Sequence, residues 1–406
     1  MSAVSEAGNH RQQEDRQHSP TACKAGSRIK ALDKIILNFT PSWFSVNMGI
    51  GILSILIATA PHKFQGITVV AATLYVLNMA LFLIFMALSA ARYIKYPWVF
   101  WTMLQHPTQS LFLGTLPMGL ATVVNATVIL AVPYISQSWI ITAAWALWWI
   151  DVVLSLLSCI GIPLLMFHVH ELSLMGMTAA WLLPIVPTVV AAASGGLLAT
   201  VLSTKHAYTT LVVSYVLWGM GMGLSFLVMA LYLHRLTLHK LPNSEVIVSA
   251  FLPLGPLGQG AFGIIEMSKA GLTTFTSEGF TSAPGAPFII HVISVLSGLL
   301  LWGFGWWWLV HGVYSVTIRV CTGGIHFNMG FWGFVFPLGV FTAATIALSA
   351  ALGSQFLSYL ASVFILVLIL LGLGVTYGTL RGAMQGSLFK APCLATLDFH
   401  AIRAGQ

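Results

Sequence analysis

Ten long apolar stretches divide the chain, and each is close to the roughly 20 residues that a helix needs to cross a bilayer. Short connections follow the first, third, fifth and ninth stretches, so neighbouring stretches pair as helical hairpins. This pattern predicts an all-α integral membrane protein with ten transmembrane helices in five hairpins. The predicted spans are 39–60, 67–91, 108–130, 140–165, 179–202, 208–233, 246–266, 287–316, 328–350 and 356–380.

Composition supports a membrane protein, because 58% of the residues are hydrophobic and only 7% are charged. A soluble domain carries about 25% charged residues. Polar segments flank the apolar region at both ends. We therefore expect a disordered cytosolic N-terminal tail at 1–35, a ten-helix transporter domain at 36–382 and a cytosolic C-terminal tail at 383–406. No apolar segment precedes the first tail, so we expect no cleaved signal peptide.

Basic residues are distributed unequally between the two predicted sides of the membrane. With the N-terminus in the cytosol, the cytosolic side holds 6 basic residues in the tail and 8 in loops, which makes 14 of the 17. The outer side holds Lys63, Lys205 and Lys269. Cytosolic loops carry an excess of Lys and Arg, so this asymmetry predicts that both termini are cytosolic.

Proline and glycine are concentrated inside the five odd-numbered spans, all of which run from the cytosol outward. The ninth contains Pro337 and Gly339, and the seventh contains Pro253 and Pro256. Proline removes a backbone donor and kinks a helix, and the freed carbonyl must be satisfied by protein or water. The alternation predicts five inner kinked helices that form a central pore, enclosed by five outer helices that face lipid.

The predicted pore contains neutral hydrogen-bond donors and no basic anchor. Neutral donors and helix dipoles bind an anion only weakly, which suits throughput because the solute must also leave its sites, and these residues by themselves predict a channel-like carrier of a small polar solute. The candidate pore-lining and anion-binding positions are the polar residues Asn47, Thr115, Asn125, Thr188, Ser194, Gln259 and Thr342 and the backbone-breaking residues Gly49, Gly51, Pro117, Pro184, Pro187, Pro256 and Pro337.

Asp151 is the only carboxylate that the sequence places deep in a span. Intramembrane carboxylates are functional candidates by default. Two interpretations stay open: hydrogen-bonded glue between helices, and a proton-coupling site. The segment with His168, His170 and Glu171 lacks the spacing of a metal motif and reads as a solvated loop.

Sequence motifs of enzymes and of bound cofactors do not occur in a credible context. There is no phosphate-binding loop, dinucleotide fingerprint or nucleophile elbow, and the four cysteines are far apart. We therefore expect no enzymatic activity, no metal, no cofactor and no nucleic-acid partner. The expected partners are the lipid bilayer and a transported solute.

Four segments carry a family resemblance: NFTPSWFSVNMGIGILSIL (38–56), WLLPIVPTVVAAASGG (181–196), LPLGPLGQGAFG (252–263) and FNMGFWGFVFPLGVFTAAT (327–345). Over roughly 36–382 the chain resembles the tellurite-resistance/dicarboxylate transporter family. That family includes plant slow-type anion channels, fungal malate carriers and fungal sulfite efflux pumps, and the resemblance is closest to the last branch.

The resemblance implies ten helices with the odd ones forming the pore, an aromatic gate at Phe336 and a homo-oligomer, a trimer or alternatively a dimer. It also implies a plasma-membrane protein that exports sulfite or bisulfite. The alternative is a proton-coupled carrier of malate or another C4-dicarboxylate. A long dianion would benefit from a basic anchor, which no predicted inner span offers.

Overall fold

The fold is described from a computed structural model that covers residues 31–135, 137–278, 283 and 285–395. Of the residues in these ranges, 82% are helical and none is in a strand. The all-α prediction is therefore confirmed. Residues 1–30 and 396–406, which include most of the predicted N-terminal tail, part of the predicted C-terminal tail and Cys23, lie outside the described residues.

Thirteen α-helices occur in the described part of the chain. In chain order they are α1 (Ala31–Leu37), α2 (Phe44–Ala58), α3 (Ile67–Lys95), α4 (Pro97–Gln105), α5 (Thr115–Ala126), α6 (Ser138–His168), α7 (Val186–Ala199), α8 (Thr204–His239), α9 (Leu254–Glu278), α10 (Ala286–Gly323), α11 (Trp332–Leu352), α12 (Gln355–Met384) and α13 (Pro392–Ala395).

Nine of the helical segments in the described ranges are long and apolar enough to cross a membrane. The remaining predicted span, the fifth (179–202), contains α7, whose 14 α-helical residues are fewer than a full crossing needs. Burial separates two groups. In the segments built on α2, α5, α9 and α11, 72–89% of the residues are buried, against 17–33% in α3, α6, α8, α10 and α12. We call α2, α5, α7, α9 and α11 the inner helices. The outer helices are α3, α6, α8, α10 and α12.

Each inner helix is preceded by one turn of 3-10 helix. This unit occurs five times, which makes it an internal structural repeat. The carbonyls of the turn accept from the backbone N–H groups that follow it, such as those of Phe44, Thr115 and Trp332, so the N–H groups that lack helical partners belong to the turn itself. The five turns are Pro41–Trp43, Ser110–Gly114, Ala179–Leu182, Ile247–Phe251 and Met329–Phe331.

The inner prolines act differently from the prediction. Pro117 and Pro256 are the third residues of their α-helices, Pro187 is the second residue of α7, and Pro184 lies in the turn before it. A proline in the first turn replaces an N–H that has no helical partner, so it starts the helix without kinking it. These four residues therefore need no kink within an α-helix, and only Pro337 lies deeper, as the sixth residue of α11.

Glycines allow the inner helices to approach until their backbones touch. A Cβ atom added at Gly258 of α9 would lie 2.5 Å from the backbone nitrogen of Phe341 in α11. One added at Gly263 would lie 2.9 Å from the Cβ atom of Ala193 in α7. Small residues at helix contacts are a main source of association between helices in lipid, because they increase van der Waals contact.

The C-terminal segment packs back onto the start of the described chain. The Ala391 amide donates to Asn38 Oδ1 at 3.1 Å, and the Phe389 ring stacks on Trp43 with 5.0 Å between centroids. Arg92, which is fully buried, donates to the Leu37 carbonyl at 3.0 Å. The two ends of the described chain therefore lie on one face of the bundle, which we call the tail face. The opposite side is the far face.

We predict that Gly258→Ala destabilises the protein by about 1–3 kcal/mol, because the added methyl group must displace the α11 backbone. The measurement is thermal unfolding of detergent-solubilised protein. The matched control is Gly219→Ala on outer helix α8, where nothing lies within 4 Å of the added Cβ. Equal stability of the two variants would contradict the close α9–α11 contact.

Candidate functional site: a vestibule at the start of the inner helices

A cavity of about 160 Å³ lies where the N-terminal ends of the five inner helices meet. We call it the vestibule. Every inner helix, or the turn that precedes it, contributes to its wall. Representative lining residues are Ser45 and Met48 on α2, Thr115 and Met118 on α5, Leu182 and Val186 at α7, Ser249 and Gly255 at α9, and Gly333, Phe336 and Pro337 on α11.

The positive charge that the vestibule offers to an anion comes from backbone dipoles and not from cationic side chains. Helix N-termini carry about half a positive charge each, so five of them around one cavity favour negative solutes. No Lys or Arg is among the residues that line the vestibule, and its one charged residue is the exposed carboxylate of Glu245. The site can therefore concentrate an anion and still release it.

Phe336 and Pro337 lie together in the vestibule wall. The Phe336 ring is 3% exposed. Pro337 has no N–H, so the carbonyl of Gly333, four residues earlier, loses the helical bond it would otherwise accept. Gly333 also lines the vestibule. The aromatic ring and the backbone break predicted from the sequence are thus next to the same space.

Residues three, four or seven positions after a vestibule-lining residue lie on the same face of its helix. This face of each inner helix therefore extends from the vestibule toward the far face of the bundle. We call this face the axial stripe. On α5 it runs from Met118 to Asn125, which is 6% exposed and whose Oδ1 atom has no partner among the described residues. On α9 it runs from Gly255 to Gln259, which is 3% exposed. On α11 it continues from Phe336 to small apolar residues.

Asn47 is not on the axial stripe, which corrects its prediction as a pore donor. Its amide donates to the backbone oxygen of Asn78 at 3.1 Å and to the side-chain oxygen at 3.0 Å. Asn78 in turn donates to Thr122 at 3.1 Å, and an added Cβ at Gly51 would collide with both. Asn47 and Gly51 therefore join α2 to α3 and α5, and Gly49 packs on the Trp332 ring.

Three further predicted residues are hydroxyl-bearing and differ in role. Thr342 donates to the Leu338 carbonyl of its own helix at 2.8 Å, and Thr188 faces Gly221 of outer helix α8. Neither is a free donor toward the axis. Ser194 is fully buried and its hydroxyl has no partner among the described residues, so it stays a candidate.

Asp151 on outer helix α6 is 1% exposed, and neither carboxyl oxygen has a hydrogen-bond partner in the described part of the chain. One turn away, Trp148 Nε1 donates to the Ala191 carbonyl at 2.8 Å, and that bond joins α6 to α7. The interpretation of Asp151 as hydrogen-bonded glue is therefore wrong. An enclosed carboxyl without a donor is a costly group that a packing role does not explain.

A histidine pair lies beside the vestibule. His106 Nδ1 accepts from the amides of Thr108 at 3.2 Å and Gln109 at 3.3 Å, and Thr108 lines the vestibule. Burial, reinforced by the charge of His170, lowers the pKa of His106 below its ordinary value. His170 is buried and bonds the Leu104 carbonyl at 2.8 Å, so the prediction that it lies in a solvated loop is wrong.

Residues that could hold a metal do not converge within the described ranges, where no group of three His, Cys, Asp or Glu side chains has suitable placement. Cys159, Cys321 and Cys393 are free thiols. The Cys393 thiol is enclosed near Arg92, and its burial raises its pKa. The Cys393 thiol therefore has low reactivity, because the thiolate is the reactive form.

Two charged residues on α9 were missed by the sequence prediction, which ended that span at residue 266. The helix continues to Glu278, so Lys269 lies within it and not in an outer loop. Lys269 Nζ is 3.7 Å from Glu266 Oε2, an i,i+3 pair. The i,i+3 spacing of these two opposite charges is typical of a helix, so it could have predicted that the helix continues past residue 266.

A family comparison agrees with this architecture. Residues 38–380 match the model of the voltage-dependent anion channel family, SLAC1. The chain belongs to this family. The resemblance drawn from the four sequence segments is thereby confirmed.

Curated relatives include fungal sulfite efflux pumps. The pump of Arthroderma otae is 41% identical over 370 residues, which cover 90% of this chain and 97% of that protein. The pump of Trichophyton rubrum is 42% identical over 347 residues, with 85% and 91% covered. The malic acid transport protein of Schizosaccharomyces pombe is 24% identical over 330 residues, with 80% and 74% covered.

Proposed function

We propose that this protein exports sulfite or bisulfite across the plasma membrane. The observation that carries the proposal is the 41–42% identity to sulfite efflux pumps over 85–90% of the chain. The vestibule supports it, because helix dipoles and neutral groups suit a compact oxyanion that must be released again. No basic residue in the vestibule is available to anchor a long dicarboxylate.

The anion passes along the axis between the inner helices in this proposal. It enters the vestibule, where helix N-termini replace part of its hydration shell. It then passes the Phe336 ring, which restricts the path by excluding water. Beyond the ring, the Asn125 Oδ1 atom and the Ser194 hydroxyl have unused hydrogen-bonding capacity within the described structure, and Gln259 adds a buried amide.

Ten crossings and two cytosolic termini complete the proposed topology. The 3-10 turn Ala179–Leu182 and α7 together reach from residue 179 to 199, and they repeat the unit that begins the other inner helices. Ten is an even number, and the two described chain ends do meet on the tail face. The excess of basic residues supports a cytosolic tail face.

A homo-oligomer is the further proposal about assembly. The outer helices expose many apolar side chains, which contact lipid or a second copy of the chain. The family resemblance favours a trimer over a dimer. The mass of the particle in a defined detergent or nanodisc measures the number of subunits, and a monomeric mass would contradict this proposal.

We predict that proteoliposomes containing the protein release sulfite faster than protein-free vesicles, and that malate moves more slowly. The measurement compares sulfite, malate, nitrate and chloride under matched gradients. Expression in a host that lacks its own exporter should also restore growth on sulfite. Robust malate uptake without sulfite release would make the dicarboxylate carrier the better interpretation.

Phe336→Ala should raise anion flux about tenfold or more, because removing the ring widens the narrowest apolar part of the path. The measurement is nitrate flux per folded protein in proteoliposomes. Phe334→Ala is the control, since Phe334 packs against Phe251 with 5.0 Å between centroids and is not part of the vestibule wall. Unchanged flux in well-folded Phe336→Ala protein would assign the ring to packing.

We propose Asp151 as the residue that would couple anion transport to a proton gradient. Asp151→Asn should then remove the response of anion flux to a pH gradient and preserve flux down the anion's own gradient. Ser155→Ala, one turn along the same face of α6, is the control. A wild-type response to the pH gradient in Asp151→Asn protein would eliminate Asp151 as the coupling site.

A further inference from the structure

Glu266 continues the axial stripe of α9 beyond the vestibule and beyond Phe336. Gly255 lines the vestibule, Gln259 follows it by four residues, and Glu266 follows Gln259 by seven. These spacings place the three residues on one face of a continuous α-helix. Glu266 is 9% exposed, so it lies within the protein and not on its outer surface.

The other faces of α9 are already occupied by neighbouring helices. Gly258 packs against α11, Gly263 against α7 and Gly260 against Met222 of α8. Ile265 packs against Gly298 of α10. On a wheel of 100° per residue, Glu266 lies between the sides that face α7 and α11. Since α7 and α11 are both inner helices, this sector faces the axis.

The charge of Glu266 is unusual for its position. Helices α2, α5, α7 and α11 contain no Asp, Glu, Lys or Arg. On α9, Lys269 approaches the Glu266 carboxylate at 3.7 Å, and the two side chains are 63% and 12% exposed. The cation is therefore turned toward water at the far face, while the carboxylate is turned inward. A small anion moving along the axis meets the negative member of the pair first.

We propose that Glu266 is a charge-selectivity residue in the far half of the permeation path, where its carboxylate, partly balanced by Lys269, favours monovalent anions over divalent ones. This inference rests on the proposed anion path. Repulsion by one fixed charge doubles when the passing anion carries two charges instead of one. Bisulfite and sulfite differ by one charge, so the residue selects the bisulfite form for export.

The test measures the ratio of sulfate flux to nitrate flux in proteoliposomes at one pH. Glu266→Gln should raise this ratio roughly three- to tenfold, because the repulsion on the dianion falls more than that on the monoanion. Lys269→Gln should lower it, because the carboxylate loses its counter-charge. Lys269 is an exposed side chain, so its variant tests the proposal even if Glu266→Gln folds poorly.

Matched controls are Glu171→Gln and Lys205→Gln, which remove the same charges at exposed positions off the axial stripe. Both should retain the wild-type ratio. Wild-type protein that carries neither anion would overturn the proposed function itself. Wild-type flux of nitrate with an unchanged ratio in both the Glu266 and Lys269 variants would overturn only the selectivity role.

Discussion

Close backbone contact between the inner helices is the constraint on which the rest of this structure depends. At Gly258 the α9 and α11 backbones approach so closely that no Cβ atom fits, and Gly196 of α7 meets the Met267 backbone of α9 in the same way. Lipid provides no hydrophobic force between helices, so contact area must hold them together. The outer helices then surround this inner group and present apolar side chains to lipid.

The repeated 3-10 turns place the starts of the inner helices around the cavity that we propose as the anion site. Each turn directs the start of an inner helix toward the same cavity, and prolines such as Pro117 and Pro187 occupy first-turn positions where no helical bond is lost. Five helix N-termini thereby converge without any buried cation. A lysine or arginine in the same place would bind an anion more tightly and slow its release.

Polar groups inside the bundle divide into two kinds. Those whose donor is engaged by a neighbouring helix, such as the Asn47 amide that donates to Asn78, hold inner helices to outer ones. Those without partners in the described structure, such as Asn125 and Ser194, have hydrogen-bonding capacity left for a solute or water. This division separates structural from proposed transport roles better than residue type does, because asparagine occurs in both groups.

The sequence by itself determined the membrane class, the approximate spans, the alternation of inner and outer helices, and the Phe336–Pro337 pair, because apolar length and proline placement are local properties. It misplaced Asn47 and Thr342, and it ended α9 before Lys269. Only the tertiary structure decided which face of each helix meets the axis, since that depends on contacts between segments far apart in the chain, such as Gly51 with Thr122 or Gly258 with Phe341. Helical periodicity gives the faces of one helix, and its neighbours decide which of those faces remains open.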